Sequence, residues 1–164
     1  AGVLSGFDAA QRRREPWMTT QGDRVVALAR GWIGTPYVHQ ASALGAGTDC
    51  LGLLRGLWRD CIGAEPEIVP AYSADWSESS GREELFDAAL RWLVSLPVGP
   101  FETGDVLLFR MRPGSVAKHL GIIGDIGDRP TFIHAYTGHG VVENSLSAPW
   151  HRKIAARFRF PEGA

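Results

Sequence analysis

Cysteine is scarce in this sequence: Cys50 and Cys61 are the only two among 164 residues. On one helix they stand about 16 Å apart along the axis. A disulfide needs Cα atoms within about 7 Å, so the two do not pair with each other. Two cysteines at that spacing do not make a zinc finger either. Free thiols fit a reducing compartment or a working nucleophile. Long hydrophobic runs are missing: none approaches the roughly 18 residues that cross a membrane, so no membrane span is expected. A surplus of one charge is missing too. Lys and Arg number 17 against 18 Asp and Glu, a formal net charge of -1. That excludes a broad basic footprint, and no direct nucleic-acid recognition is expected. The first residues lack the charged, apolar and small-residue regions of a signal peptide. The expectation is a product made in the cytoplasm, which stays there or leaves inside a larger particle. There is no internal repeat, domain linker or low-complexity segment.

What is present is a chain with 45% apolar and 21% charged residues. Its length suits one domain with a core. The stretch Asp49-Cys50-Leu51-Gly52-Leu53-Leu54 carries the clearest chemical signal. It follows a loop containing Gly45 and Gly47, and Leu51, Leu54, Leu57, Trp58 and Ile62 continue it at helical spacing. Cys50 therefore falls in the first turn of a helix. Unpaired N–H groups and partial positive charge at a helix start favour a thiolate. That form is the nucleophile of covalent catalysis. A small buried core cysteine is the plain alternative.

Residues 1–22 read as an N-terminal extension with a basic run, Arg12-Arg13-Arg14, and Met18 is an internal candidate start. The extension is a solvated tail or a docking arm. Asp23 is the expected N-cap of a first helix over 24–33, with Val25, Leu28, Ala29, Trp32 and Ile33 facing the core. Gly34-Thr35-Pro36 ends it, and a loop of small residues leads to the Cys50 helix. Thr48 or Asp49 caps that helix, and Gly63 stops it. Residues 64–80 read as loop. A third helix is expected over 82–96, with Leu85, Ala88, Ala89, Trp92, Leu93 and Leu96 as its apolar stripe. After Gly104 the period changes. Strands are expected over 105–110, 119–124, 131–136, 141–144 and 154–160, joined by turns short enough for antiparallel hairpins. Helices first and strands afterwards indicate an α+β domain over 23–164, with about five antiparallel strands and a helical insertion at about 64–100.

A cysteine nucleophile needs a base and a group to orient that base. The histidines are His39, His119, His134, His139 and His151. His119 opens one expected strand and His134 lies inside the next. A hairpin would set both imidazoles on one sheet face. Packing the Cys50 helix against that face would complete the constellation.

At these residues the chain resembles the NlpC-type cysteine peptidases, papain-like enzymes that cut peptide stems of the bacterial cell wall. The resemblance spans about residues 23–146. It rests on Gly34-Thr35-Pro36-Tyr37, on Thr48-Asp49-Cys50-Leu51-Gly52-Leu53, on Gly104-Asp105-Val106-Leu107-Leu108-Phe109 with His119-Leu120-Gly121-Ile122, and on Phe132-Ile133-His134-Ala135, in that order. It implies a papain-like fold with the nucleophile at a helix N-terminus, and no cofactor. Cys50 would be the nucleophile. His119 would be the base, and later the acid that protonates the leaving amine. His134 would hold the His119 ring. Tyr37 would bind substrate or support the oxyanion, beside the Cys50 backbone N–H. Asp49 would hold the amine end of the substrate, with a plain helix N-cap as its alternative. The chain departs from the pattern at Leu51, where the family usually has serine. It departs again at His39, Gln40 and Ala41, where the family usually has tryptophan and two glycines.

The compact form with an insertion looks like the phage-tail and gene-transfer-agent branch of the family. That implies peptidoglycan stem peptides as substrate, tail-tip or baseplate proteins as partners, and action at a recipient cell wall after release in a particle. The extension or the 64–80 loop would then be the docking surface. A different class of function is a structural or binding tail component that keeps the fold without activity. A metal hydrolase using His119, His134 and His139 lacks the His-Glu-x-x-His ligand spacing.

Overall fold

Helix α1, Gln21–Gly31, starts earlier than its apolar period suggests, because Thr20 is the N-cap. Thr20 and Asp23 form a reciprocal capping box, with the Asp23 N–H donating to the Thr20 hydroxyl at 3.1 Å. Asp23 is thus the third helical residue and not the cap. The computed structural model describes residues 20–69, 72 and 81–163. Most of the N-terminal extension, with its basic run and Met18, lies outside the described residues, as do most of residues 70–80.

A small hairpin, β1 (Ser42–Ala43) with β2 (Gly47–Thr48), leads into α2, Cys50–Cys61. Its first turn carries Cys50, as expected. Gly63 follows the helix end with a positive φ of 147°, which suits glycine alone. Helix α3 covers Glu84–Trp92, shorter than the expected 82–96. The chain then turns extended, and Val94–Leu96 forms β3. The apolar period through Leu93 and Leu96 reads as helix. Pairing with a distant strand decides otherwise.

The sheet has six strands among the described residues, one more than expected. They are β3, then β4 (Val106–Phe109), β5 (His119–Ile123), β6 (Thr131–Tyr136), β7 (Gly140–Ser145) and β8 (Ile154–Arg159). A short helix α4, Ala148–His151, precedes β8. Every pairing is antiparallel, in the order β3-β8-β4-β5-β6-β7. Helices followed by strands give the α+β architecture that the order of periods implied.

Alternation along each strand divides the apolar residues between the two sheet faces. On one face Leu108, Leu120, Ile122, Ile133 and Ala135 pack with Leu53 and Leu57 of α2 and Val25 and Ala29 of α1. Each fully buried Leu, Ile or Val side chain among them contributes roughly 1.5–3 kcal/mol. On the other face a smaller cluster, Leu107, Phe109, Ile123, Phe132 and Leu146, is covered by Trp150. Between β4 and β8, the fully buried Asp105 accepts from Arg157 Nε at 2.6 Å and from Arg159 Nε at 3.1 Å. It also caps the Glu102 N–H at 2.8 Å.

Candidate active site

Asp49 sets the start of α2. Its Oδ1 accepts the Gly52 N–H at 2.7 Å, the N-cap bond. Gly52 is needed because the loop backbone crosses the first turn: a Cβ there would stand 1.9 Å from the Ala41 carbonyl oxygen. Residue Tyr37 bridges to Thr48 in parallel, and the Val38 N–H donates to the Thr48 carbonyl at 3.1 Å. Tyr37 is thereby laid beside the helix start.

Strands β5 and β6 pair at Ile122 with Ile133 and Ile123 with Phe132, and the ladder goes no further toward His119. The tip of α2 fills the opening. The Cys50 thiol donates to the Lys118 carbonyl at 3.7 Å, and the Leu120 N–H donates to the sulfur. These two backbone groups flank His119 on the strand edge that a full β6 would have covered.

The histidines hold the opposite face of the sheet from the one α2 packs on. The expectation that the Cys50 helix lies against the histidine face is therefore corrected. His119 and His134 alternate with Leu120 and Ile133, whose side chains meet α2. Their rings lie against Phe109, Phe132, Tyr136 and Trp150. The Cys50 thiol reaches the edge of β5 beside His119, where it meets the Lys118 and Leu120 backbone.

His119 Nε2 and His134 Nδ1 are 2.8 Å apart. His134 Nε2 meets Asn144 Oδ1 at 2.7 Å. An amide oxygen accepts only, so Nε2 of His134 carries a proton and its Nδ1 accepts from His119 Nε2–H. The chain of bonds leaves His119 Nδ1 as the unprotonated nitrogen. Asn144 carries no signal of its own in the sequence. It lies two residues from Val142, the register partner of His134, and so on the same sheet face. Gly121 makes room: a Cβ there would stand 2.8 Å from the Phe132 ring and 3.4 Å from His134 Cβ.

Burial first, then the charges of His134 and Lys153, lower the His119 imidazole to about 3. Burial also lowers His134, against the opposing Asn144 bond. Loss of hydration, then the Asp49 charge, push the Cys50 thiol up to about 12. Its own N–H and those of Leu51 and Leu120 favour thiolate, as expected at a helix start, and are outweighed. At neutral pH the site holds a thiol and neutral imidazoles. Burial raises the Tyr37 phenol, and the Cys50 charge adds to it. The Thr137 side chain donates to the Tyr37 oxygen.

Asp49 Oδ2 accepts the Gln40 N–H at 2.7 Å and the Tyr72 hydroxyl. Tyr72 lies in the segment expected to be loop. It carries no periodic signal. Tyr72 and Leu51 stand at the edge of a cavity of about 670 Å³ between α2 and α3. His139 does not converge on the histidine pair; it stacks on the far side of Tyr136, with ring planes 7° apart. Among the described residues no three metal-ligating side chains cluster.

No family model matches the chain. The murein DD-endopeptidase MepS/murein LD-carboxypeptidase of Escherichia coli K12 is 28% identical over 130 residues. The match covers 79% of this chain and 57% of that relative, so the chain spans little more than half its length. A probable endopeptidase of Haemophilus influenzae is 25% identical over 138 residues, 80% of this chain and 73% of that one. The crystal structure of the NlpC/p60 domain of the peptidoglycan hydrolase SagA superposes with a TM-score of 0.54 at 26% identity. It covers 85% of this chain and 98% of that domain. The chain has the NlpC/P60 peptidase fold. Within this NlpC/P60 fold, α2 carries Cys50 at its tip, and β5 and β6 carry the paired His119 and His134.

Proposed function

We propose that the chain is a cysteine peptidase that hydrolyses an amide bond in peptidoglycan stem peptides. One observation carries the reading: a thiol at a helix N-terminus lies against the backbone on both sides of a histidine whose tautomer is set by His134 and Asn144. Similarity to a murein endopeptidase and to the domain of a peptidoglycan hydrolase supports the substrate class.

In this reading His119 Nδ1 takes the Cys50 proton as Sγ attacks the scissile carbonyl. A preformed thiolate is not required, because proton transfer accompanies attack. The oxyanion is stabilised by the Cys50 backbone N–H and the Tyr37 hydroxyl. Collapse breaks the C–N bond, His119 gives its proton to the leaving amine, and a thioester remains. Water adds to the thioester with His119 again as base, releasing the carboxylate and restoring the thiol. His134 keeps the His119 ring aligned throughout.

The finer assignment is a component of a phage-like tail tip that opens a recipient cell wall locally, with tail proteins as partners. Resemblance of the compact domain and its insertion to that branch supports it.

The test is a digest of purified sacculi and defined stem peptides, read by mass spectrometry. Wild type should release new fragments whose masses name the bond. Cys50→Ala should release none, and Cys61→Ala should retain most activity, since Cys61 lies buried at the other end of α2. Activity that survives Cys50→Ala would overturn the mechanism.

A further inference from the structure

Tyr72 reaches the nucleophile helix from the inserted segment and is held at its start by several bonds. Its hydroxyl donates to Asp49 Oδ2. Its carbonyl accepts from Gln40 Nε2, and from His39 Nε2 at 2.6 Å. Its ring meets the His39 ring edge-on, with centroids 5.0 Å apart. His39 and Gln40 thus hold Tyr72 together.

The consequence falls on Asp49. A carboxylate oxygen accepts about two hydrogen bonds in its plane. On Oδ2 these come from the Gln40 N–H and the Tyr72 hydroxyl. The other oxygen, Oδ1, caps α2 through Gly52. The carboxylate side chain is 3% exposed. A peptide ammonium arriving beside Cys50 would need a charged acceptor to offset its desolvation. Asp49 is turned inward to the protein's own donors, and Leu51 offers no polar group.

We propose that Tyr72 is a specificity-determining residue: its hydroxyl takes up the outer oxygen of Asp49, so the site favours stem peptides with an acylated N-terminal end over those with a free amine. An acylated end is the state of a stem still joined to its glycan strand. This rests on the peptidase reading above. Replacing Tyr72 with Phe keeps the ring against His39 and releases one position on Oδ2 for a cation.

The experiment compares two synthetic stem peptides that differ only in an N-terminal acetyl group, cleaved by wild type and by Tyr72→Phe. Wild type should prefer the acetylated peptide in kcat/KM. Tyr72→Phe should shift the ratio about tenfold toward the free amine, the usual scale of one hydrogen bond to a charged group. A wild-type preference for the free amine, or a ratio that Tyr72→Phe leaves unmoved, overturns the proposal.

A second readout needs no peptidase activity. In a Cys61→Ala background, Cys50 is labelled with cationic aminoethyl methanethiosulfonate and with neutral methyl methanethiosulfonate. Tyr72→Phe should raise the cation-to-neutral rate ratio several-fold, and an unchanged ratio overturns the proposal. If neither peptide is cleaved by wild type while the labelling ratio moves, the peptidase reading fails and the hold of Tyr72 on Asp49 stands.

Discussion

Asn144 fixes the proton on His134: its Oδ1 lies 2.7 Å from His134 Nε2, and an amide oxygen cannot donate. The expected state is Nε2–H on both histidines, with His119 Nδ1 bare. Long-range proton–nitrogen correlation spectra of labelled protein check this directly. A proton found on His119 Nδ1 at neutral pH would refute the assignment. Asn144→Ala should lower kcat about 10- to 100-fold with KM little changed, the scale of losing a group that orients a catalytic imidazole. Asn144→Asp keeps the acceptor and should restore part of kcat.

The resting thiol should be slow to alkylate. Its pKa is raised to about 12, above the ordinary value for cysteine, so the thiolate fraction at pH 7 is smaller than that of a free cysteine. The rate of iodoacetamide reaction at Cys50, measured in a Cys61→Ala background, should climb about tenfold per pH unit through pH 9. A plateau below pH 8 would reveal a preformed thiolate–imidazolium pair and contradict the resting state described above.

His119 gives the complementary expectation on the acid side. Burial lowers it to about 3, so the neutral base is present down to mildly acidic pH and is lost only as pH falls through that value. Initial rates on a defined stem peptide should show no acid limb set by His119 between pH 5 and pH 7. A limb near the ordinary histidine pKa of about 6.5 would mean that the imidazole is solvated when it works.

Gly52→Ala should damage both fold and site. The added Cβ meets the Ala41 carbonyl oxygen at 1.9 Å and the Thr48 hydroxyl at 2.6 Å. The carbonyl is backbone and cannot simply rotate away, so a loss of at least about 1–3 kcal/mol is expected from overpacking. Thermal melting measures the first effect and alkylation of Cys50 the second. An unchanged melting temperature would show that the loop over α2 yields freely.

Asp105→Asn should destabilise the domain without touching the site. The buried carboxylate faces Arg157 and Arg159, and removing its charge leaves Arg157 underpaired. Breaking a buried pair in this way costs about 3–5 kcal/mol. Denaturant unfolding should show the loss as a lower midpoint with an unchanged slope.

The elements with a long, clean period were legible in the sequence: α2 with its cysteine, and the run of strands from Val106 onward. The place of Cys50 at a helix start and the pairing of His119 with His134 were legible too, from the helical period and from two histidines on adjacent strands. Strand β3 was not, since Val94–Leu96 becomes a strand only by pairing with β8 more than sixty residues away. The start of α1 was readable in hindsight from Thr20 and Asp23, three apart. Asn144 required the β6–β7 register, and Tyr72 required the path of a segment without period. The side of the sheet that α2 covers differs from the expected one for a physical reason. Alternation along β5 sends His119 to one face and Leu120 to the other, and the helix follows the leucine.

That division has a thermal consequence. The thiol is carried by α2 and the larger core, with Leu53 and Leu57. The imidazoles are braced by the smaller cluster of Phe109, Phe132 and Trp150. The two halves of the site therefore rest on opposite faces of one sheet, joined along the edge of β5. On warming, the face with the smaller cluster should loosen first, by a sub-global fluctuation that leaves α1 and α2 protected from hydrogen exchange. The placing of the imidazoles then lasts only as long as that smaller cluster holds, and it should be lost before the domain unfolds.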